Sequence, residues 1–160
     1  RLMSEIRVKR GLTYSIYSFF SPRADRGPFI ISTFSRHEKI HETVSETLNV
    51  YKKFREKGVT KEEVAAAKSY LKGIFPRILE TAQSTAENLL ILRYHGVPDS
   101  YLESFLSQVD NITVSDVNKA IHRHFDPDNL KVLVFSNKNK VEKALSKVGP
   151  VEVKNYSEVF

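Results

Sequence analysis

Between Ser35 and Phe125 the chain is a series of amphipathic helices, each with its own start and stop signals. Every apolar stripe in that run must be covered by another element, so the chain cannot fold as an all-β domain. Ser35 with Glu38, three residues on, reads as a capping box opening a helix striped by Ile40, Val44, Leu48, Tyr51 and Phe54. Gly58 stops it. Thr60 and Glu63 form the next box, starting a helix through Val64, Ala67, Leu71 and Ile74 that Pro76 closes. A third helix runs from about Thr81 to Tyr94 and ends at Gly96. A short one follows Pro98 around Tyr101, Leu102 and Phe105. Thr113 with Asp116 caps another, carrying Val117, Ile121 and Phe125 on one face.

Strand signals flank this run. Leu2 and Ile6 have helical spacing, and Gly11 stands where a C-cap glycine belongs. From Thr13 the pattern alternates, with Tyr14, Ile16 and Ser18 on one side and Ser15, Tyr17 and Phe19 on the other. Residues 21–28 are turn-like, and Phe29–Phe34 completes an antiparallel hairpin. Leu130–Phe135 is expected to be a buried strand, Val141–Val148 a last helix and Val151–Val153 a short strand. These elements predict an α+β fold with a mixed, largely antiparallel sheet and helices packed on one face. The other face then meets a sister domain or encloses a cavity.

A length of 160 residues suits a single domain over 1–160 with one core. The chain opens on Arg1-Leu2-Met3, inside a helical pattern, so a piece of a longer chain is expected and the compartment is left open. The absence of cysteine excludes disulfides and thiolate metal sites. No apolar run approaches the length of a membrane span, so no membrane partner is expected. The net charge of +6 favours anionic partners, but the basic residues are interspersed with Glu. The densest basic stretch, Lys138, Lys140, Lys143 and Lys147, has no interleaved aromatics, so no nucleic-acid partner is expected.

Two places carry chemistry. A helix handing directly to a strand at Gly11 brings Arg7 and Tyr14 near one junction. A guanidinium fork and a phenol both donate hydrogen bonds, and such a pair suits a carbonyl oxygen or an extended peptide. By spacing alone such a pair is usually ordinary surface chemistry. His37-Glu38-Lys39-Ile40-His41 matches H-E-x-x-H, in which two His bind zinc and the Glu activates water. That reading is rejected here. Glu38 is expected to turn back toward Ser35 as the capping residue, and the pentapeptide lies at a helix start. No metal is therefore assigned to His37, Glu38 or His41. His95, His122 and His124 lack a carboxylate at ligand spacing, and the Asn111 and Asn155 sequons are attributed to chance.

Arg7-Val8-Lys9-Arg10-Gly11-Leu12-Thr13-Tyr14 resembles the Arg…Gly-Leu-x-Tyr signature in the C-terminal half of the pitrilysin/insulinase-type (M16) zinc peptidases. The resemblance continues through Gly58–Glu63, Ala67-Lys68, Leu71-Lys72-Gly73 and Asp126–Leu130, covering residues 1–136 in order. It implies a C-terminal substrate-binding domain of a longer chain, packed beside a sister domain in a clamshell. In that family the corresponding Arg and Tyr reach across the clamshell to bind peptide and stabilise the tetrahedral intermediate. The zinc of the complete enzyme is bound by another domain through an inverted H-x-x-E-H, which this chain lacks, and this fragment alone is not expected to be active. The implied partners are a peptide or protein substrate and a zinc-bearing N-terminal half or partner subunit, in a homo- or heterodimer. A second implied possibility is a non-catalytic structural or binding subunit homologous to these peptidases.

Overall fold

The structure, a computed structural model, describes residues 1–23, 25 and 27–158. The chain forms two compact units. One comprises Arg1–Ser21, Gly27–Glu56 and Pro127–Phe160, the other Pro22–Arg26 and Lys57–Asp126.

The first unit is built on a hairpin. Strands β1 (Ile16–Phe20) and β2 (Phe29–Thr33) pair antiparallel, with Ile16 opposite Thr33 and Phe20 opposite Phe29. Ser21 N–H donates to the Pro28 carbonyl at 3.0 Å to close the connection. The turn expected over 21–28 also includes Ala24 and Arg26, which lie outside the described residues. Helix α1 (Ile40–Lys57) contributes Val50 to a core with Ile6, Leu12 and Ile16, against which Leu2 and Ile31 pack. Fully burying such side chains contributes about 1.5–3 kcal/mol each. Tyr17 and Phe19 stack on each other, ring centroids 5.8 Å apart, and stay exposed. Helix packing on one sheet face, with the other face left open, follows from that alternation.

Four local expectations are corrected here. The helix before Gly11 is a π-helix, Met3–Lys9, rather than an α-helix. Its end is a wide one: Gly11 N–H donates to the Arg7 carbonyl and Leu12 N–H to the Ile6 carbonyl. The Ser35/Glu38 capping box does not form. The chain instead takes a 3-10 turn over His37–Lys39, with Arg36 as its uncapped N-cap, and the Ser35 hydroxyl donates to the Arg36 carbonyl. Leu130–Phe135 is not a strand, nor is Val151–Val153. A strand needs a hydrogen-bonded neighbour, and among the described residues β1 and β2 pair only with each other. Leu133 and Phe135 are accordingly 96% and 83% exposed instead of buried. Helix α6 (Lys138–Leu145) follows, as expected, slightly earlier than the apolar spacing indicated. The class remains α+β, predominantly helical with a small antiparallel sheet.

The second unit is helical, with α2 (Lys61–Ile74), α3 (Ala82–Tyr94), α4 (Ser100–Asn111) and α5 (Val114–His124). Phe75, just past α2, stacks on Phe105 of α4 with ring centroids 4.4 Å apart. Lys68 Nζ donates to the Asp110 carbonyl at 2.8 Å, and Lys72 pairs with the Asp110 carboxylate, tying α2 to α4. Gly58 has φ +64° and Gly96 φ +67°, as helix-ending glycines require. Asn118 of α5 accepts the Val59 N–H at 2.8 Å, so the entry to α2 is fixed from a distance.

The capping boxes at Thr60, Thr81 and Thr113 all form. At the last, Asp116 Oδ2 accepts from the Thr113 hydroxyl (2.6 Å) and N–H (2.9 Å). The hydroxyl bond first, and the backbone bond with it, hold the Asp116 carboxyl below its ordinary value. A depressed carboxyl stabilises the fold above its unfolded value, about pH 4, and loses that contribution as pH falls through the folded value. Asp116→Asn is therefore expected to destabilise the protein at neutral pH and to narrow its difference from the parent on acidification. Urea unfolding at neutral pH and near pH 3 checks this.

Candidate functional site

The candidate site sits where the π-helix gives way to β1. Ile6 is fully buried, while its neighbour Arg7 is turned outward. Gly11, at φ +60°, reverses the chain, and buried Leu12 anchors it on the far side. A residue with a Cβ is strained at that φ, which explains glycine at this place. Tyr14 then projects 74% exposed, two residues ahead of buried Ile16.

The structure brings Arg7 and Tyr14 together. The Arg7 guanidinium carbon lies 4.9 Å from the centroid of the Tyr14 ring, within the range of a cation–π contact. Nearby charges are matched: Lys9 with Glu5, and Arg10 with Glu46 at 3.0 Å. Among the described residues, the side chains of Arg7 and Tyr14 have no hydrogen bond or ion pair, only each other. The result is a guanidinium and a phenol side by side, stacked and open to solvent, with their donor capacity unused. An extended peptide offers carbonyl acceptors to both.

Around Tyr14 lies a hydroxyl cluster that strand patterning concealed. Ser15 N–H donates to Thr13 Oγ1 at 3.1 Å, and the Ser15 carbonyl accepts from the Thr13 and Thr33 hydroxyls at 2.8 and 2.9 Å. Thr in a β-rich stretch reads as a strand former, so no local signal marks these bonds. Only the pairing of Ile16 with Thr33 places Thr33 beside Thr13.

His37, Glu38 and His41 do not form the zincin arrangement of two His one α-turn apart. His37 and Glu38 wind in a 3-10 turn, and His41 lies in the first turn of α1. Glu38 is exposed, and the neighbouring Lys39 pairs with Glu42 at 2.9 Å. Among the described residues, no three His, Asp or Glu side chains are grouped to hold a metal ion. His95 packs edge-on against Tyr94, and His122 and His124 are exposed on α5.

Residues 1–71 match the family model described as peptidase M16 inactive domain. A crystal structure of a peptidase M16 inactive domain from Pseudomonas fluorescens superposes with TM-score 0.73 at 35% identity, over 79% of this chain and 30% of that one. The chain is similar to the non-peptidase homolog YmxG of Helicobacter pylori (33% identical over 143 residues; 88% of this chain, 32% of the relative). It is also similar to an uncharacterized zinc protease of Mycobacterium bovis (31% over 124 residues; 78% and 28%). Fold and comparisons define an α+β domain of the peptidase inactive-domain class. Residues 1–71 carry the peptidase M16 inactive-domain match, and the fold of the chain is that of the same domain. The chain spans between about a quarter and a third of the length of the curated relatives it matches.

Proposed function

We propose that this chain is the substrate-binding, C-terminal domain of an M16-like zinc endopeptidase, supplying Arg7 and Tyr14 to the substrate and no metal ligand. The observation that carries the reading is the stacked, solvent-open pair with unspent donors at the helix-to-strand junction. The guanidinium holds a backbone carbonyl of the bound peptide, and the phenol donates to the scissile oxygen as negative charge builds on it. Zinc, held by another domain or a partner subunit, supplies the hydrolytic chemistry. The names of the zinc-protease relatives support this. The open sheet face with Tyr17 and Phe19, and the exposed Leu133 and Phe135, are proposed to face that sister half in a homo- or heterodimer.

A second reading has its own support, since one of the relatives is named a non-peptidase homolog. In it the same pair holds peptide without hydrolysis. Arg7→Ala in the full-length protein distinguishes a binding role from surface chemistry. It is expected to weaken peptide binding, raising KM or Kd about 10- to 150-fold, as loss of a charge-assisted hydrogen bond of roughly 1.5–3 kcal/mol implies. Titration with a fluorescent peptide checks it. Unchanged affinity in a folded variant removes Arg7 from the site.

A further inference from the structure

We propose that Thr13 and Thr33 are positioning residues for Tyr14: their hydroxyls fix the bend that carries its phenol beside Arg7. The inference rests on the reading of Arg7 and Tyr14 as the peptide-binding pair, and it concerns what aims the second donor of that pair.

An exposed side chain samples its rotamers freely unless something restrains it. Tyr14 is 74% exposed, and among the described residues its ring makes an aromatic or cation contact with the Arg7 guanidinium alone. The direction of its Cβ therefore depends on the backbone of residues 13–15. That backbone lies outside the sheet ladder, because β1 begins at Ile16. Buried Leu12 and Ile16 pin the two ends. Between them, side-chain hydroxyls take the place of ladder bonds.

The ties are specific. Thr13 Oγ1 accepts the Ser15 N–H at 3.1 Å, spanning Tyr14 in an ST-turn. The Thr13 hydroxyl donates at 2.8 Å to the Ser15 carbonyl, and the Thr33 hydroxyl donates to the same oxygen at 2.9 Å. Both lone pairs of that carbonyl are thereby used. Thr33 Oγ1 also lies 3.0 Å from Thr13 Oγ1, so the single Thr33 proton is shared between the Ser15 carbonyl and the Thr13 oxygen. Thr33 comes from β2, opposite Ile16 at the last rung of the ladder. The bend is thus held from within by Thr13 and from the neighbouring strand by Thr33. A valine at either position keeps the β-branched shape and strand preference and removes only the hydroxyl.

The test uses the full-length protein labelled at arginine for NMR, together with peptide-cleavage kinetics. The Tyr14 ring lies over the Arg7 guanidinium, so the Arg7 Nε–H resonance carries its ring-current shift. In Thr33→Val this resonance is expected to move toward its position in Tyr14→Leu, and kcat to fall on the order of tenfold, less than the about 10²-fold of an ångström's misplacement. Thr33→Ser is expected to restore both, since it returns the hydroxyl. In a Tyr14→Phe background Thr33→Val is expected to change kcat no further, as required of a residue that acts through the phenol. An Arg7 resonance unmoved in folded Thr33→Val overturns the proposal. Should that variant not fold, Thr13→Val is read by the same criterion, and failure of both to fold assigns the threonines to stability and also overturns it. Full kcat in Tyr14→Phe overturns the peptide-site reading instead, while the Arg7 resonance still decides the positioning.

Discussion

Tyr14→Phe in the complete, zinc-bearing protein is expected to lower kcat by about 10²–10³-fold, the loss that follows removal of one well-placed oxyanion donor. The substitution deletes a hydroxyl that bonds to nothing else among the described residues, and it keeps the ring that stacks on Arg7. Folding and the position of the guanidinium are therefore expected to survive. KM is expected to stay near its original value, because the phenol's bond strengthens as charge develops rather than when substrate binds. Zinc content is expected to be unchanged, since Tyr14 is assigned no contact with the metal. Steady-state kinetics with metal analysis of the same preparation checks each part. Full kcat in a normally folded variant reduces Tyr14 to an exposed strand-edge aromatic.

Gly58→Ala is expected to destabilise the protein by about 2–3 kcal/mol, from two separable causes. At φ +64° an alanine is strained, at about 1–2 kcal/mol. Its Cβ also falls 2.3 Å from Asn118 Oδ1, the atom that accepts the Val59 N–H. Asn118 must swing away, which breaks that bond and removes about another 1 kcal/mol. At about 2–4 °C per kcal/mol for a chain of this size, the melting temperature is expected to drop by about 5–10 °C. In an Asn118→Ala background the second cause is already gone, so Gly58→Ala is expected to show the backbone strain alone. Thermal unfolding of the four proteins of this cycle checks it, and full additivity contradicts the proposed clash.

Signals that act within a few residues were legible in the sequence. Gly11, Gly58 and Gly96 all stand at positive φ where their helices end. Thr60 and Thr113 cap the helices their spacing announced. Signals that need a partner were not. Leu130–Phe135 has the composition of a buried strand, but strand formation depends on a neighbour that no window of sequence specifies. The Ser35/Glu38 spacing met the capping rule, yet the chain winds a 3-10 turn there from Arg36. A π-helix shares its apolar positions with an α-helix over one or two turns, so Leu2 and Ile6 did not separate them.

The candidate site divides along the same line. Arg7 and Tyr14 lie close in sequence on either side of a glycine cap, so their approach was readable from order alone. Their stacking, and the matching of neighbouring charges that among the described residues leaves the Arg7 side chain with an aromatic partner only, emerge from the fold. Thr33 lies 20 residues from Thr13, and only the strand register joins them. H-E-x-x-H is the opposite case. Its letters are all present, but a two-ligand zinc helix also needs regular α-helical winding between the histidines, and His37 precedes that winding.

The most direct test compares two peptides of one sequence, a planar amide and its tetrahedral phosphinate analogue, binding to full-length protein. Titrations are run on the parent, Tyr14→Phe and Arg7→Ala. Tyr14→Phe is expected to weaken phosphinate binding by the same factor by which it lowers kcat and to leave the amide nearly unchanged. Arg7→Ala is expected to weaken both. Equal losses for the two peptides in both variants identify a binding subunit that does not favour the tetrahedral state. Phosphinate affinity identical in parent and Tyr14→Phe contradicts the role assigned to this residue pair.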